Sequence, residues 1–408
     1  MSSDYFKTQF AIDHDLLPRP SRLRPFLRHM LGRGAAPPAS ATRARFLFLN
    51  YEIPLGYAVL ATTTFAAIKS ARPDAYIAVA ASGISANLLR ASAHVDEVIV
   101  TPHPATQIAQ ASRYVLQRSW PRRRDFDYVV TDAANARPRV ALLAVLSGVR
   151  YRVGVTLKPE LFHSPLLYDY GLSHIANNLR LLSALGMPDT PVEPAINFTS
   201  ADLAAVQALL ASGPPSTGPR IAVCVNSSAG HPNEWFDERW SELLSRLARR
   251  LDAQIVLTGT AEDVERMRRL QEAIGVPTLS VAGRTDLPQL AALMALSDLV
   301  VTIDTGGLHV ARAVNAPTVV LANAAQPDHW WLPPKTDSRF RILRHGDVPC
   351  ALCLKFACAT RECMQESSVD MVEQAVIAHL SAFAPSAEAR AARVAARVND
   401  GPPILSRG

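Results

Sequence analysis

Apolar residues alternate along this chain between two arrangements. Short runs dense in Val, Ile, Leu and Phe occur at 45–50, 76–80, 97–100, 128–131 and 152–155, and again at 221–225, 254–257, 278–281, 299–303 and 318–322. Between them lie stretches where apolar positions recur every three or four residues: 58–71, 85–93, 105–117, 138–146 and 175–185, then 238–250, 263–273, 287–296 and 308–314. A run apolar at successive positions is a strand buried on both faces, and a spaced stretch is a helix with one apolar side. The alternation predicts α/β architecture with two parallel, doubly wound sheets, each binding ligand at the carboxyl ends of its strands.

The pattern also divides the chain. Residues 1–42 mix Pro, Ser and Ala with basic residues, and 19–33 interleave Leu, Phe and Met with arginine. They read either as a flexible extension or as a basic amphipathic piece on an anionic membrane surface. A first Rossmann-like domain spans 43–200 and a second 201–366, with the Pro- and Gly-rich 212–219 (SGPPSTGP) as the linker near their boundary. A terminal helix at 367–385 and a fraying tail at 386–408 complete the expectation.

The stretch 298–323, DLVVTIDTGGLHVARAVNAPTVVLAN, carries the chemistry. Its strand stops at Asp304, Thr305, Gly306 and Gly307, and a helix follows with His309 in its first turn. A helix N-terminus at the carboxyl edge of a sheet offers free N–H groups and positive potential to a diphosphate. The glycines would let the backbone approach the ligand, and Thr305 adds a hydroxyl. The competing reading is ordinary capping by Asp304 or Thr305.

Composition narrows this only in part. With 408 residues, 49% hydrophobic and 19% charged, the chain can fill two cores, and no apolar run is long enough to span a bilayer, so a cytoplasmic location is expected. A formal charge of +6, dominated by arginine, favours anionic partners without pointing to nucleic acid. Four of five cysteines, Cys350, Cys353, Cys358 and Cys363, form a local cluster whose spacing suits structural zinc or iron, or else reduced thiols or local disulfides. Cys224, inside a strand, reads as core.

Asp-Thr-Gly-x-x-His-x-Ala-x-Ala at 304–313, followed by Pro317-Thr318 and an apolar strand, resembles the signature of glycosyltransferase family 9, the lipopolysaccharide heptosyltransferases. Arg152-Val153-Gly154, the loop Asn226-Ser227-Ser228 before Trp235, and Gly259 with Glu262 and Asp263 resemble further family positions in order. The resemblance implies a GT-B fold, two Rossmann-like domains facing a cleft, and inverting transfer of a sugar from a nucleotide-diphosphate donor. It points to ADP-heptose as donor and to a lipid A-core, another glycan or a protein as acceptor, with peripheral membrane contact as an option and no cofactor for the transfer itself. Donor contacts would come from Ser227, Ser228, Glu262, Asp263, Asp304, Thr305, Gly306, Gly307 and His309, a carboxylate at 262 or 263 serving the ribose.

Two positions depart from the family pattern. Gly56-Tyr57 stands where the family carries Gly-Asp, whose aspartate is the candidate base, and Asn233 stands where a lysine often meets the donor phosphate. A phenol is a poor base near neutrality. Glu52, in the same loop, and then Asp132 are the substitutes expected to take the acceptor proton. A nucleotide-sugar binding protein with weakened catalysis, or an epimerase or hydrolase on this fold, remains the alternative.

Overall fold

The computed structural model describes residues 43–51, 54–103, 107, 109–110, 126–227, 233–355, 357–383, 387–401 and 403–407. The chain divides into two compact units, Ile196–Asp400 and the residues up to Ala195 together with Gly401–Gly408. The membrane-surface expectation for 19–33, most of the helix expected at 105–117, Glu52 and Ser228 lie outside the described residues.

In the first unit, strands β1 (Arg45–Asn50), β2 (Tyr76–Ala81), β3 (Glu97–Val100), β4 (Tyr128–Thr131), β5 (Tyr151–Val155) and β6 (Ser164–Leu166) make a parallel sheet. Successive residues face opposite ways. Phe46, Phe48, Ile77, Val79 and Val130 enter one apolar cluster, while Leu47, Leu49, Ala78, Ala80 and Val129 enter another. Both faces are therefore covered, as continuous apolar runs require.

The second unit repeats the plan with β7 (Arg220–Cys224), β8 (Gln254–Leu257), β9 (Leu279–Ser280), β10 (Leu299–Ile303), β11 (Thr318–Ala322) and β12 (Phe340–Arg344), all parallel. Its order is β12-β11-β10-β7-β8-β9; the first sheet runs β3-β2-β1-β4-β5-β6, with β13 (Ile404–Arg407) added beyond β3. Read from the other end, the second order matches the first. In both, the winding reverses between the first strand and the fourth, and that switch point opens a crevice at the strand C-termini. Helices follow their sequence patterns: Asp237–Leu251 buries Trp240, Leu243, Leu244 and Leu247, and Leu287–Leu296 begins at a capping box of Asp286 and Gln289. Among the described residues no helix is long and apolar enough to cross a membrane.

Several boundaries differ from the sequence reading. The division falls after Ala195, because helix Ser200–Ala211, begun by a capping box of Thr199 and Asp202, belongs to the second unit and packs on Leu287–Leu296. Helix Val369–Phe383 also stays there, sharing its core through Val372, Val376 and Leu380, with Arg250 3.2 Å from Glu373. The expected tail is ordered: helix Ala387–Ala395 docks on Leu287–Leu296, where Arg393 Nε donates to the Ala295 carbonyl at 2.9 Å. The return to the first unit is made by β13, which pairs in parallel with β3.

Candidate functional site

At the switch point of the second sheet, β7 and β10 lie side by side with Cys224 opposite Thr302. The chain leaves β7 through Val225, Asn226 and Ser227, and leaves β10 through Asp304 and Thr305 into helix Gly306–Ala313. Thr305 has extended backbone and its side chain makes no capping hydrogen bond, nor is there an acidic residue in the first turn. The amides of that turn thus lack the side-chain acceptor that a cap supplies, and they point out of the carboxyl edge. This answers the capping alternative: neither Asp304 nor Thr305 closes the helix.

Two enclosed polar groups beside it lack partners. Both polar atoms of the Asn226 amide, and Nδ1 of His309, have no hydrogen bond among the described residues. Buried polar groups are almost always paired, so each is a place open to a ligand atom or a water. His309 is 4% exposed, and burial, with Arg312 nearby, pulls its pKa down to about 3. It is neutral near pH 7, so any contact it offers a ligand is a hydrogen bond and not a charge. Burial pushes Asp304 the other way, to about 6, against the opposing field of Arg344.

A Cβ on Gly307 would lie 2.9 Å from Cys224 Sγ and 3.1 Å from Cys224 Cβ, so this glycine lets the helix press onto β7. Asn233, buried at the same edge, donates to the Asp304 carbonyl and accepts from Asn323, whose Oδ1 receives the Ala325 amide at 2.7 Å. It braces the turn.

The acidic candidates separate. Asp263 Oδ2 accepts from Thr260 N at 2.7 Å and Thr260 Oγ1 at 2.8 Å, the capping box that starts the next helix. Glu262 beside it, beyond the end of β8, is exposed with no hydrogen bond or ion pair among the described residues. Its carboxylate is open to solvent. In the first unit Asp132 ends β4 at the other switch point but is only 2% exposed. Its oxygens accept from Asn50 Nδ2 (2.7 Å), Asn135 Nδ2 (2.8 Å) and the amides of Ala134 and Asn135 (3.0 Å each). Burial raises its pKa while these donors lower it. Asp132 ties β1 to β4 and caps the short helix Ala133–Asn135. Tyr57 meets His174 edge to face at 4.8 Å.

Sequence reasoning marked Asn226 only as part of the Asn226-Ser227-Ser228 loop, without a role of its own, and missed Arg344, whose one signal was its place at the end of a strand. The four clustered cysteines are free; Cys350 Sγ lies 3.9 Å from Glu362 Oε2, and the Arg361 amide lies 3.3 Å from Cys358 Sγ. Among the described residues no three Cys, His, Asp or Glu side chains converge as one ion would require. As placed, the thiols do not fit a tetrahedral zinc or iron. Cys224 is buried core, its thiol pushed up to about 11 by burial.

Comparison with known proteins follows from this geometry. Residues 122–363 match the description glycosyltransferase family 9 (heptosyltransferase). Lipopolysaccharide heptosyltransferase 2 of Escherichia coli K12 is 31% identical over 135 residues, 32% of this chain and 37% of that protein, so the aligned stretch spans little more than a third of the relative. Among solved structures, a family 9 glycosyl transferase from Veillonella parvula superimposes with TM-score 0.70 at 18% identity, covering 83% of this chain and 97% of its own. The E. coli ADP-heptose lps heptosyltransferase II does so with TM-score 0.66 at 19% identity, covering 83% and 99%. At these identities the two structures bear on the fold.

Proposed function

The chain belongs to glycosyltransferase family 9, and from that premise we propose that it transfers a sugar from a nucleotide-diphosphate donor, with the donor held at the switch point of the second sheet. The observation that carries this reading is the uncapped N-terminus of helix Gly306–Ala313 flanked by the unpartnered Asn226 amide and His309 Nδ1. Amides of the first turn and the Thr305 hydroxyl take the diphosphate oxygens, and Glu262 takes the ribose hydroxyls. ADP-heptose is the proposed donor, supported by the relatives' names. A lipid A-core sugar is the proposed acceptor and the cytoplasm the proposed location.

In the inverting reaction a base removes the proton of the acceptor hydroxyl as its oxygen bonds to the anomeric carbon. The bond from that carbon to the diphosphate breaks on the opposite face, and the diphosphate leaves with the electron pair, steadied by the helix N-terminus. Glu52 is the proposed base, since in sequence it lies two residues past the end of β1 while Asp132 is occupied in capping. That same occupation of Asp132 favours the second reading, a nucleotide-sugar binding protein without turnover. Release of ADP from ADP-heptose, with and without a deacylated core acceptor, tests both. Acceptor-dependent release supports transfer, saturable binding without release supports the binding protein, and no affinity for any nucleotide-diphosphate sugar overturns the donor site.

A further inference from the structure

We propose that Arg344 is the residue that receives the donor's diphosphate charge and sets the preference for nucleoside diphosphates over nucleosides. The inference rests on the donor-site reading above and adds a residue to it. A diphosphate brings more than one negative charge, whereas a helix N-terminus offers only about half of a positive one. The same turn also carries the Asp304 carboxyl, which opposes an anion once ionised. A cation must therefore face this edge.

Most candidates near it are engaged. Arg266 is 3.0 Å from Glu234 and 2.8 Å from Asp237, Lys335 is 3.1 Å from Asp328, and Arg361 donates to the Glu234 carbonyl at 3.1 Å while lying over Phe236. Asn233, braced against Asp304 and Asn323, has no charge to give. Arg344 differs. It is the last residue of β12, paired with Ala322 of β11, and Ile303 of β10 pairs with Leu321. Asp304 and Arg344 therefore stand at one level of the sheet, two strand spacings or about 10 Å apart, within the span of an arginine side chain.

The guanidinium is positioned but incompletely bonded. Arg344 Nη2 donates to the Gln326 carbonyl at 3.0 Å, and a Cβ on Gly346 would lie 2.8 Å from Nη1, so that glycine makes room for it. Its Nε is enclosed and without a partner, and among the described residues it forms no ion pair. An oriented planar fork with an unused buried donor, near the Asp304 and Asp328 carboxylates but in no direct ion pair with either, suits bidentate phosphate recognition. The rival cation is Arg284, exposed beyond β9 on the other side of the switch point, nearer Glu262 than the helix end in strand order.

Calorimetric titration of the full chain with adenosine, AMP, ADP and inorganic pyrophosphate separates the cases. In Arg344→Gln, ADP and pyrophosphate affinities should fall about tenfold or more, the loss of a charge-assisted hydrogen bond, while adenosine affinity stays put. Arg284→Gln should leave the ADP-to-adenosine ratio unchanged. An unaltered ratio in Arg344→Gln, or a loss in Arg284→Gln instead, overturns the assignment. If Arg344→Gln does not fold, Arg344→Lys decides: charge without the fork should weaken ADP severalfold and spare adenosine, and equal affinities reject the proposal. Wild-type protein that binds none of the four probes strikes at the donor site itself, whereas wild-type binding with an indifferent Arg344 variant strikes at Arg344 alone.

Discussion

Replacing Gly307 by alanine tests how the candidate site is held in place. The added methyl would lie 2.9 Å from Cys224 Sγ, 3.1 Å from Cys224 Cβ and 3.4 Å from Thr302 Oγ1. Cys224 and Thr302 are buried on paired strands and have little room to yield, so the helix must move. Overpacking of this kind costs about 1–3 kcal/mol. Opposing it, alanine gains up to about 1 kcal/mol of helix propensity over glycine, less in a first turn. The net expectation is a loss of about 1–2 kcal/mol, each kcal/mol lowering the melting temperature by roughly 2–4 °C for a unit of this size. Because the moving helix carries the uncapped amides, ADP affinity should fall with it. Cys224→Ala removes the sulfur but leaves the Cβ contact, and by itself should cost about 1 kcal/mol, as for deletion of a methylene-sized group. The double variant should therefore be more stable than the sum of the singles by at least about 0.5 kcal/mol. Urea unfolding of all four proteins, with ADP titrations alongside, gives the cycle. A Gly307→Ala protein that unfolds and binds like wild type, or strict additivity with Cys224→Ala, would refute the close-contact argument.

Other expectations follow from the same geometry. Burial holds Asp304 at about 6 against the usual 3.8, so its contribution to stability is full at low pH and is lost as pH rises through about 6. Asp304 keeps some exposed surface, so about 3 kcal/mol is a ceiling for this effect. Asp304→Asn should flatten the pH dependence of the melting temperature between pH 4 and about 7, and an unchanged profile would reject the assignment. Glu262→Gln should weaken adenosine binding without altering the melting temperature, while Asp263→Ala should cost about 1 kcal/mol of stability through its capping box; the reverse pattern would exchange their roles. Asp132→Ala should destabilise by several kcal/mol, because it strands buried donors of Asn50 and Asn135, and a wild-type denaturation curve would show that these bonds matter little.

Much of this architecture could be read from residue order alone. The strands of both sheets announce themselves because a parallel strand covered on each side has no polar positions to break the run, as in Leu299–Ile303. Helix Ser200–Ala211 was legible in its Thr199-x-x-Asp202 start, yet the prolines on either side drew the boundary there instead. What stayed hidden depends on distant contacts. Nothing near Ile404 indicates that it pairs with Glu97, and nothing near Asp132 separates a carboxylate that caps from one that reacts. The same holds for Asn226 and Arg344, whose missing partners become visible only once their neighbours are in place.

The pairing of β13 with β3 has a consequence for biosynthesis. A ribosome must deliver residue 407 before β3 gains its outer neighbour, so the chain can finish the sheet holding Asp304 while the earlier one still lacks a strand. During that interval β3 presents an open backbone edge to other nascent chains, and any shortening ahead of Ile404 makes the exposure permanent. Loss of the last few strand residues should then appear first as poor yield and self-association, before any change in catalysis.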